Sequence, residues 1–345
     1  MAAKPKIRPY RPIEKQPRTA LFQRHPNVTE ALGEYQEALR TVAGDPEALK
    51  QLQWLREQEN RAFAVANTEM ERHFTLTPEA RAQYIDRGIE DPEAIQFSFI
   101  GKEFDPKGEA RSAHRKIALG VLQDQAEGIA ITRQDEAECR PLTQQWIKDM
   151  HGLLTRHQPH ARSVAKVEGL GAQDGTIPMV SGQYKKTDND VALPDGSIQQ
   201  YCPMGPMVIE EMERLLQMHE ENFAQGTAPE TEAAWMMRQL KHIHPFQDGN
   251  SRTSRMLMCF VLLRHMLPII IFSPVEHREP LESAMFQASQ ERNWTPLIEF
   301  IRGRVIEKLK SDTRQIQRAA RGEPIITPLG NGIHRNGELH GLRLN

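Results

Sequence analysis

The sequence is poor in the features that mark secreted, disulfide-bonded or membrane proteins. Its 345 residues contain three cysteines, Cys139, Cys202 and Cys259. An odd number of widely spaced cysteines argues against a disulfide framework, fits a reducing compartment and suggests no structural zinc site. The formal net charge of -2 gives no overall field that would attract nucleic acid or a membrane surface.

Long uninterrupted apolar runs are also missing. The most apolar stretch, residues 256–272, is broken by Arg264, His265 and Pro268, whereas a membrane-spanning helix needs about 20 apolar residues. Residues 1–18 are basic and proline-rich without the apolar segment of a signal peptide. We therefore expect a cytoplasmic protein that does not enter membranes, and export as an effector stays open.

The remaining pattern is mainly helical. Asp45-Pro46-Glu47, Thr77-Pro78-Glu79 and Asp91-Pro92-Glu93 each combine a capping residue, an early proline and an acidic first turn. The sequence predicts an all-α protein with four parts. These are a flexible basic arm (1–25), an N-terminal helical domain (26–109), a helical core (110–311) and a tail of low order (312–345).

Residues 181–201 provide the best strand candidate. Ser181 to Leu193 reads as extended, Pro194-Asp195-Gly196 is a turn signal, and Ile198 to Tyr201 can form the returning strand. A lone hairpin is marginally stable. We therefore predict that this hairpin, called the flap below, lies over a site or over the core.

The segment His244 to Arg255 concentrates the chemistry of the chain. It reads His-Pro-Phe-Gln-Asp-Gly-Asn-Ser-Arg-Thr-Ser-Arg and precedes an apolar run typical of a buried helix. A helix N-terminus attracts phosphate, and Arg252 and Arg255 can bind phosphate oxygens from one side of its first turn. Asp248 beside phosphates indicates a bridging Mg²⁺, and His244 could accept a proton. These residues predict a metal-assisted phosphate-transfer site, although His242 and His244 could instead form a metal pair.

This segment resembles the signature of the Fic family, His-Pro-Phe-x-(Asp/Glu)-Gly-Asn-Gly-Arg-x-x-Arg, with Ser251 in place of a glycine. The resemblance covers about residues 110–310 and implies a helical bundle that transfers AMP from ATP to a hydroxyl of a target protein or of itself. It implies that His244 is the general base, that Asp248 holds Mg²⁺ and that Phe246 anchors the loop. The implied phosphate-binding residues are Gly249, Asn250, Ser251, Arg252 and Arg255. The implied target-docking residues of the flap are Gly182, Tyr184, Lys185, Lys186 and Thr187.

Some Fic proteins carry an inhibitory helix with the pattern (Ser/Thr)-x-x-x-Glu-(Gly/Asn), whose Glu pairs with the second arginine of the signature. Gln123 to Gly128 resembles this pattern, with Gln123 at the hydroxyl position. The resemblance therefore implies an inhibitory helix over residues 111–128, with Glu127 binding Arg255 and blocking the γ-phosphate position.

Other functions remain open at this stage. The same fold could transfer UMP, phosphocholine or phosphate, or remove AMP from a modified protein. Ser251 also supports a catalytically silent binding module, because a Cβ could crowd the phosphate cradle or oppose a positive φ. The target protein and the role of the N-terminal domain cannot be identified from the sequence, and a homodimer is left open.

Overall fold

The computed structural model describes residues 6–16, 20–100, 111–167, 171–192 and 196–325. Across these residues helices dominate and the sheets are small, which confirms the predicted all-α class. The helices are α1 (Pro26–Val42), α2 (Pro46–Glu69), α3 (Pro78–Arg87), α4 (Arg111–Ala137), α5 (Gln144–Leu154), α6 (Pro206–Ala224), α7 (Pro229–Ile243), α8 (Asn250–Leu263), α9 (Arg278–Phe286) and α10 (Thr295–Ala320). The strands are β1 (Ile7–Arg8), β2 (Phe74–Leu76), β3 (Phe97–Ile100), β4 (His160–Val167), β5 (Gly171–Pro178), β6 (Val191–Ala192) and β7 (Ile198–Gln199).

The predicted helix starts are confirmed at two of the three proline-containing signals. The Asp45 side chain accepts hydrogen bonds from the backbone N–H groups of Glu47 and Ala48 at 3.0 and 3.1 Å. Thr77 caps α3 in the same way. The third prediction was wrong, because residues 91–94 form a turn that leads into β3. Capping chemistry starts a helix only where the following residues have a face to bury.

Helices α7 and α8 form the centre of the main hydrophobic core. Trp235 on α7 and Met256, Leu257 and Phe260 on α8 are almost fully buried. The two helices pack against each other and are joined by residues 244–249. The loop that carries the predicted chemistry is therefore held at both ends by helices of the main hydrophobic core.

The N-terminal helices share hydrophobic cores with later parts of the chain. Val28 of α1 and Phe63 of α2 belong to the main core, while Ala38 and Leu52 pack with Ile316 of α10. Helix α10 continues to Ala320, so the predicted low-order tail begins too early at residue 312. Residues 326–345 of that tail lie outside the described part of the chain.

The described residues of the predicted flexible arm, 6–16 and 20–25, contact the rest of the chain. β1 adds in parallel to β7, pairing Ile7 with Ile198 and Arg8 with Gln199. Ile13 is 1% exposed, and its N–H donates to Glu211 at 2.8 Å. The local composition did not indicate that Ile13 would be buried or that β1 would find a strand partner far along the chain.

The strands correct two further expectations. Among its described residues the flap contains a short antiparallel pair, β6 with β7, and residues 181–190 before it are irregular. Within the described part of the chain, the longest hairpin is β4 with β5, which pairs His160 with Pro178 and Val167 with Gly171. The sequence predicts the flap as the best strand candidate, whereas the longer strands form outside it. Residues 168–170 and 193–195, which include most of the predicted flap turn, lie outside the described residues.

Candidate active site

The loop between α7 and α8 turns on two residues with left-handed backbone conformations. His244 caps the end of α7 at φ 56° and ψ 56°, and Gly249 precedes α8 at φ 77° and ψ 0°. A Cβ on Gly249 would lie 2.8 Å from Cγ2 of Thr155. Both the positive φ and the close approach therefore require glycine at this position.

Asn250 closes the loop on itself. Its Oδ1 accepts from the backbone N–H of Phe246 at 2.9 Å, and its Nδ2 donates to the Phe246 carbonyl at 2.7 Å. Phe246 is fully buried, as expected for an anchor. The Asn250 amide thus serves the loop backbone, which fixes the shape of the loop in advance of any ligand.

His151 of α5 supports the loop from behind, and sequence reasoning did not single it out. Its ring stacks on Phe246 with a centroid distance of 3.8 Å. The backbone N–H of Gly182 donates to Nδ1 at 3.0 Å, so the proton lies on Nε2, which donates to the Asp248 carbonyl at 2.9 Å. Burial lowers the pKa of His151 to about 4, which keeps this neutral tautomer in place.

His244 is oriented as a proton acceptor. Its Nδ1 lies 3.3 Å from the Lys241 carbonyl, and a carbonyl can only accept, so Nδ1 carries the proton and Nε2 carries the lone pair. Its ring stacks on Tyr201 at a centroid distance of 3.9 Å. Burial, followed by the charge of Lys185, lowers the pKa of His244 to about 3, so the ring is neutral at pH 7.

Asp248 presents an ionised carboxylate at the mouth of the loop. The Gly249 N–H donates to Oδ1 at 2.6 Å, and Gln158 donates to Oδ2 at 2.9 Å. Burial alone would raise the pKa of Asp248, but His73 and Arg252 outweigh it and lower the pKa to about 2. In the described part of the chain no three or more His, Cys, Asp or Glu residues gather as a metal site. A single carboxylate fits Mg²⁺ that takes its other ligands from phosphates and water.

Ser251 fits the start of α8 without backbone strain. It lies in the first turn of α8 and is absent from the described non-glycine residues with positive φ. Its carbonyl accepts from the Ser254 hydroxyl at 2.8 Å. The replacement of the usual glycine by serine therefore does not force a left-handed conformation, which removes one of the two objections raised by the sequence.

The two signature arginines have different surroundings. Arg252 is fully buried, and it donates to the Leu154 carbonyl at 3.1 Å and to the side chain of Gln158. Arg252 thus ties the loop to the end of α5. Its role in binding outer phosphates stays a prediction.

Arg255 is held by the end of α2. Its guanidinium donates to the Asn67 side chain, to the Asn67 carbonyl at 2.9 Å and to Glu71 at 2.7 Å. Burial alone would raise the pKa of Glu71, but Arg255 and Lys241 outweigh it and lower the pKa to about 2. The pair is therefore a charged ion pair in this structure.

The predicted contact between Glu127 and Arg255 is wrong. Glu127 instead pairs with Arg156 at 2.6 Å, and both side chains are about half exposed, at 46% and 47%. Helix α4 also continues past Gly128 to Ala137, so Gly128 is not a C-cap. A Cβ on Gly128 would lie 2.9 Å from Leu154, so this glycine serves close helix packing.

The glutamate that contacts Arg255 follows α2 and does not lie in α4. Asn67-Thr-Glu-Met-Glu71-Arg72 has the Glu at the right spacing, with Asn67 at the hydroxyl position. Arg72 stands where the pattern has Gly or Asn, and its φ is 56°. Gly, and less often Asn, are among the few residue types that adopt left-handed conformations readily. Because Arg72 follows Glu71, the sequence lacks the Glu-Gly or Glu-Asn pair of the pattern here. The spacing between Asn67 and Glu71 is the signal that could have identified it.

A small cavity of about 50 Å³ opens beside the first turn of α8. Glu71, Lys241, Ser251 and Arg255 are among its lining residues. Burial lowers the pKa of Lys241. The cavity thus joins the start of α8 to the Glu71–Arg255 pair, and it is the space that an anion approaching Arg255 would enter.

The irregular part of the flap is hydrogen-bonded to the catalytic loop. The Lys185 N–H donates to the Pro245 carbonyl at 2.9 Å, and the Thr187 hydroxyl donates to Gln247 at 2.8 Å. Asn189, which the sequence did not highlight, donates to the Phe246 carbonyl at 2.8 Å. The segment predicted to dock a target therefore lies alongside the predicted general base, with Lys186 and Thr187 exposed.

The other predicted flap residues hold the segment in place. Tyr184 donates to Gln144 at 2.7 Å and packs on Phe246. Lys185 is buried and donates to Asn189 at 2.7 Å, and burial lowers its pKa to about 8. Gly182 has φ 71° and donates to His151.

Comparison with known proteins agrees with this geometry. Residues 141–262 match the sequence profile of the Fic/DOC family. Protein adenylyltransferase Fic of Aedes aegypti is 41% identical over 69 residues, which are 20% of this chain and 13% of that protein. Protein adenylyltransferase Fic of Drosophila grimshawi is 30% identical over 128 residues, which are 36% of this chain and 24% of that protein. The chain therefore spans only a minor part of these relatives.

Solved structures extend the likeness of the fold beyond the matched segment. A Fic domain containing signaling protein from Bacteroides thetaiotaomicron superposes with a TM-score of 0.64 at 18% identity, covering 87% of this chain and 98% of that one. Fic-1 of C. elegans (residues 134–508) gives a TM-score of 0.52 at 15% identity, covering 85% and 71%. The family match covers residues 141–262, which include the loop between α7 and α8, and the solved structures show that the likeness of the fold extends over most of the chain. No helix of the described residues could span a membrane.

Proposed function

We propose that this protein is a protein adenylyltransferase that moves AMP from Mg-ATP to a hydroxyl side chain of a target protein, and of itself. The names of the curated relatives and the family signature support this reaction class. The observation that carries the proposal is the constellation on one loop. Residues 244–251 bring together three features. These are a neutral His244 with its lone pair on Nε2, an ionised Asp248 and the start of α8.

The proton chemistry follows from the state of His244. The target hydroxyl oxygen forms a bond to the α-phosphorus, the bond from that phosphorus to the bridging oxygen breaks, and pyrophosphate leaves. The hydroxyl proton passes to Nε2 of His244. Burial and, next to it, the charge of Lys185 lower the pKa of His244. Bound phosphates bring negative charge and would raise that pKa toward the working range.

The phosphates have two places to bind. The N-terminus of α8 offers backbone N–H groups and a partial positive charge to the α- and β-phosphates. Asp248 would hold Mg²⁺, which supplies charge neutralisation for those phosphates. Arg255 would take the γ-phosphate from within the cavity that it lines with Ser251.

We further propose that Glu71 restrains this reaction. Its carboxylate occupies the guanidinium of Arg255 at 2.7 Å. ATP therefore has to displace one charge-assisted hydrogen bond before its γ-phosphate reaches Arg255. This role replaces the one that the sequence suggested for Glu127.

The reaction is tested by incubating the protein with Mg-ATP labelled at either the α- or the γ-phosphate and measuring its intact mass. We expect label from the α-position only and a mass gain of one AMP. His244→Ala should reduce the rate by about 10²- to 10⁴-fold, because the general base is lost. Label from the γ-position would instead indicate phosphate transfer, and competition by UTP would indicate another donor. Failure of the wild type and of Glu71→Gly to bind Mg-ATP would favour a silent binding module.

A further inference from the structure

A second basic cavity lies outside the catalytic loop. Its volume is about 690 Å³, and it is lined by residues of the N-terminal arm, of α7 and of the segment 286–294. This volume is in the usual range for small-molecule sites, about 300–1,000 Å³. Six Lys and Arg side chains line it against two Glu. The cations are Lys6, Arg8, Arg11, Lys15, Arg238 and Arg292.

Arg238 is the central group of this cavity. It is 6% exposed, and its Nε has no hydrogen-bond partner among the described residues. Its Nη1 donates to Gln239 at 2.6 Å, a neutral acceptor, and its guanidinium lies over the Trp294 ring at 5.5 Å. Burial lowers the pKa of Arg238 to about 10, which still leaves it charged at pH 7. A buried charged donor without an anionic partner is costly unless a ligand provides one.

The carboxylates of the lining offset its positive charge only in part. Glu14 is paired with Arg292 at 2.8 Å, and both side chains are largely exposed. Lys15 pairs with Glu221 at 2.6 Å, and the six cations of the lining outnumber its two carboxylates, Glu14 and Glu291. The cavity is therefore suited to a ligand with more than one negative charge.

Contacts within the protein hold the walls of the cavity in place. Arg8 donates to Ser197 at 2.9 Å and lies over the Phe286 ring at 5.4 Å. Residues 287–291 form a π-helix, a rare element that is frequent at functional sites, and Gln290 donates to Gln199 at 2.9 Å. The Nε2–H group of His242 donates to the Arg11 carbonyl at 2.7 Å, which ties α7 to the N-terminal arm.

We propose that this cavity binds a small phosphate-bearing polyanion, with Arg238 as its central ligand and Arg8 and Arg11 as flanking cations. Guanidinium groups match phosphate oxygens through paired N–H donors. The site is separate from Asp248 and Arg255 and does not depend on the proposed transfer reaction. Because β1 of the arm is also a strand of the flap sheet, a ligand bound to Arg8 and Arg11 would hold the arm against the flap.

The test is calorimetric titration of the full chain with inorganic pyrophosphate, without Mg²⁺ and at low salt. The wild type should bind pyrophosphate saturably, with one equivalent at this cavity in addition to any that binds at the start of α8. Arg238→Met should weaken that binding by about tenfold or more, and Arg11→Met by about threefold, because each removes charge-assisted hydrogen bonds. Arg11 is exposed, so its variant keeps the test valid even if Arg238→Met does not fold.

Arg40→Met is the matched control. Arg40 is an exposed arginine of α1 paired with Glu37, and its loss changes the net charge by the same amount. We expect its affinity for pyrophosphate to equal that of the wild type. The proposal is overturned if the wild type shows no saturable binding, if Arg238→Met and Arg11→Met both bind normally, or if Arg40→Met weakens binding equally.

Discussion

Glu71 and Glu127 each pair with an arginine, and the two ion pairs differ in their exposure to water. Glu71 follows the end of α2, is 25% exposed at its side chain and binds Arg255, whose side chain is 6% exposed. Glu127 lies within α4 and binds Arg156, with 46% and 47% of the side chains exposed. Exposed ion pairs contribute about 0–1 kcal/mol, whereas an ion pair shielded from water controls whether its arginine is available to a ligand.

The comparison also separates a sequence pattern from the geometry that it is meant to indicate. Glu127-Gly128 matches the inhibitory pattern by letter, yet Gly128 is there for contact with Leu154. Glu71-Arg72 departs from the pattern by letter, yet Arg72 adopts the left-handed conformation that explains the usual Gly or Asn. Backbone conformation and burial, rather than residue identity alone, thus decide which glutamate reaches Arg255.

The largest expected effect is on activity. Glu71→Gly should raise self-modification by ATP labelled at the α-phosphate by about tenfold or more, since coupling energies of this kind are typically 1–3 kcal/mol. Glu127→Gly should leave the rate within about twofold of the wild type. Equal rates for Glu71→Gly and wild type would contradict the restraint assigned to Glu71, and a gain in Glu127→Gly alone would restore the interpretation drawn from the sequence.

Stability should separate the two pairs next. Glu71→Gln should lower the free energy of unfolding by about 2 kcal/mol, because Arg255 stays buried without a carboxylate although Asn67 still binds it. Glu127→Gln should change it by less than about 0.5 kcal/mol. Urea unfolding followed by circular dichroism measures both. Losses of equal size would show that burial does not distinguish the pairs.

Acid should act through Glu71. Its pKa is lowered from 4.5 to about 2 in the folded protein. As pH falls through this window the unfolded chain takes up a proton first, so the stability contributed by the ionised carboxylate is present above pH 4.5 and is lost toward pH 2. We expect a loss of roughly 1–2 kcal/mol after solvent screening.

The measurement is a set of unfolding curves at several pH values from about 5 to about 2, the range over which the pKa of Glu71 is shifted. Glu71→Gln should show a flatter dependence than the wild type, and Glu127→Gln should run parallel to the wild type. A Glu71→Gln curve parallel to the wild type would mean that this carboxyl does not contribute to acid sensitivity.

The smallest effect concerns Arg72. Arg72→Gly should stabilise the protein by about 0.5–1 kcal/mol, because a left-handed φ of 56° is strained for a residue with a Cβ. Gln134→Gly, at an exposed position inside α4, should instead destabilise by about 1 kcal/mol. Opposite shifts in melting temperature are expected, and a destabilised Arg72→Gly would show that the side chain contributes more than the strain costs.

Local signals predicted a large part of the fold. Asp45 and Thr77 cap their helices as expected, because a capping side chain needs only the next few N–H groups. The His244–Arg255 loop and the apolar helix after it were likewise predicted, since their signals lie within a dozen consecutive residues. These are contacts between near neighbours in sequence, and residue type largely determines them.

The errors concern contacts between distant residues. The arm was expected to be flexible, yet Ile13 is buried and β1 pairs with β7 191 positions away, as the Ile7–Ile198 register shows. The β4–β5 hairpin and the continuation of α10 were also missed. Within the site, His151 was not singled out because its value lies in joining Gly182 to Asp248, which are separated from it by 31 and 97 positions.

The sequence alone determined the loop chemistry of this protein. His244, Asp248, Gly249 and the start of α8 follow from residue types whose backbone preferences and charges act over one or two turns. Tertiary structure alone decided which carboxylate binds Arg255. It also decided that the Nε group of Arg238 is buried without a hydrogen-bond partner among the described residues. Ion pairing in a folded chain depends on distance and burial, and both are set by packing between elements that lie far apart in sequence.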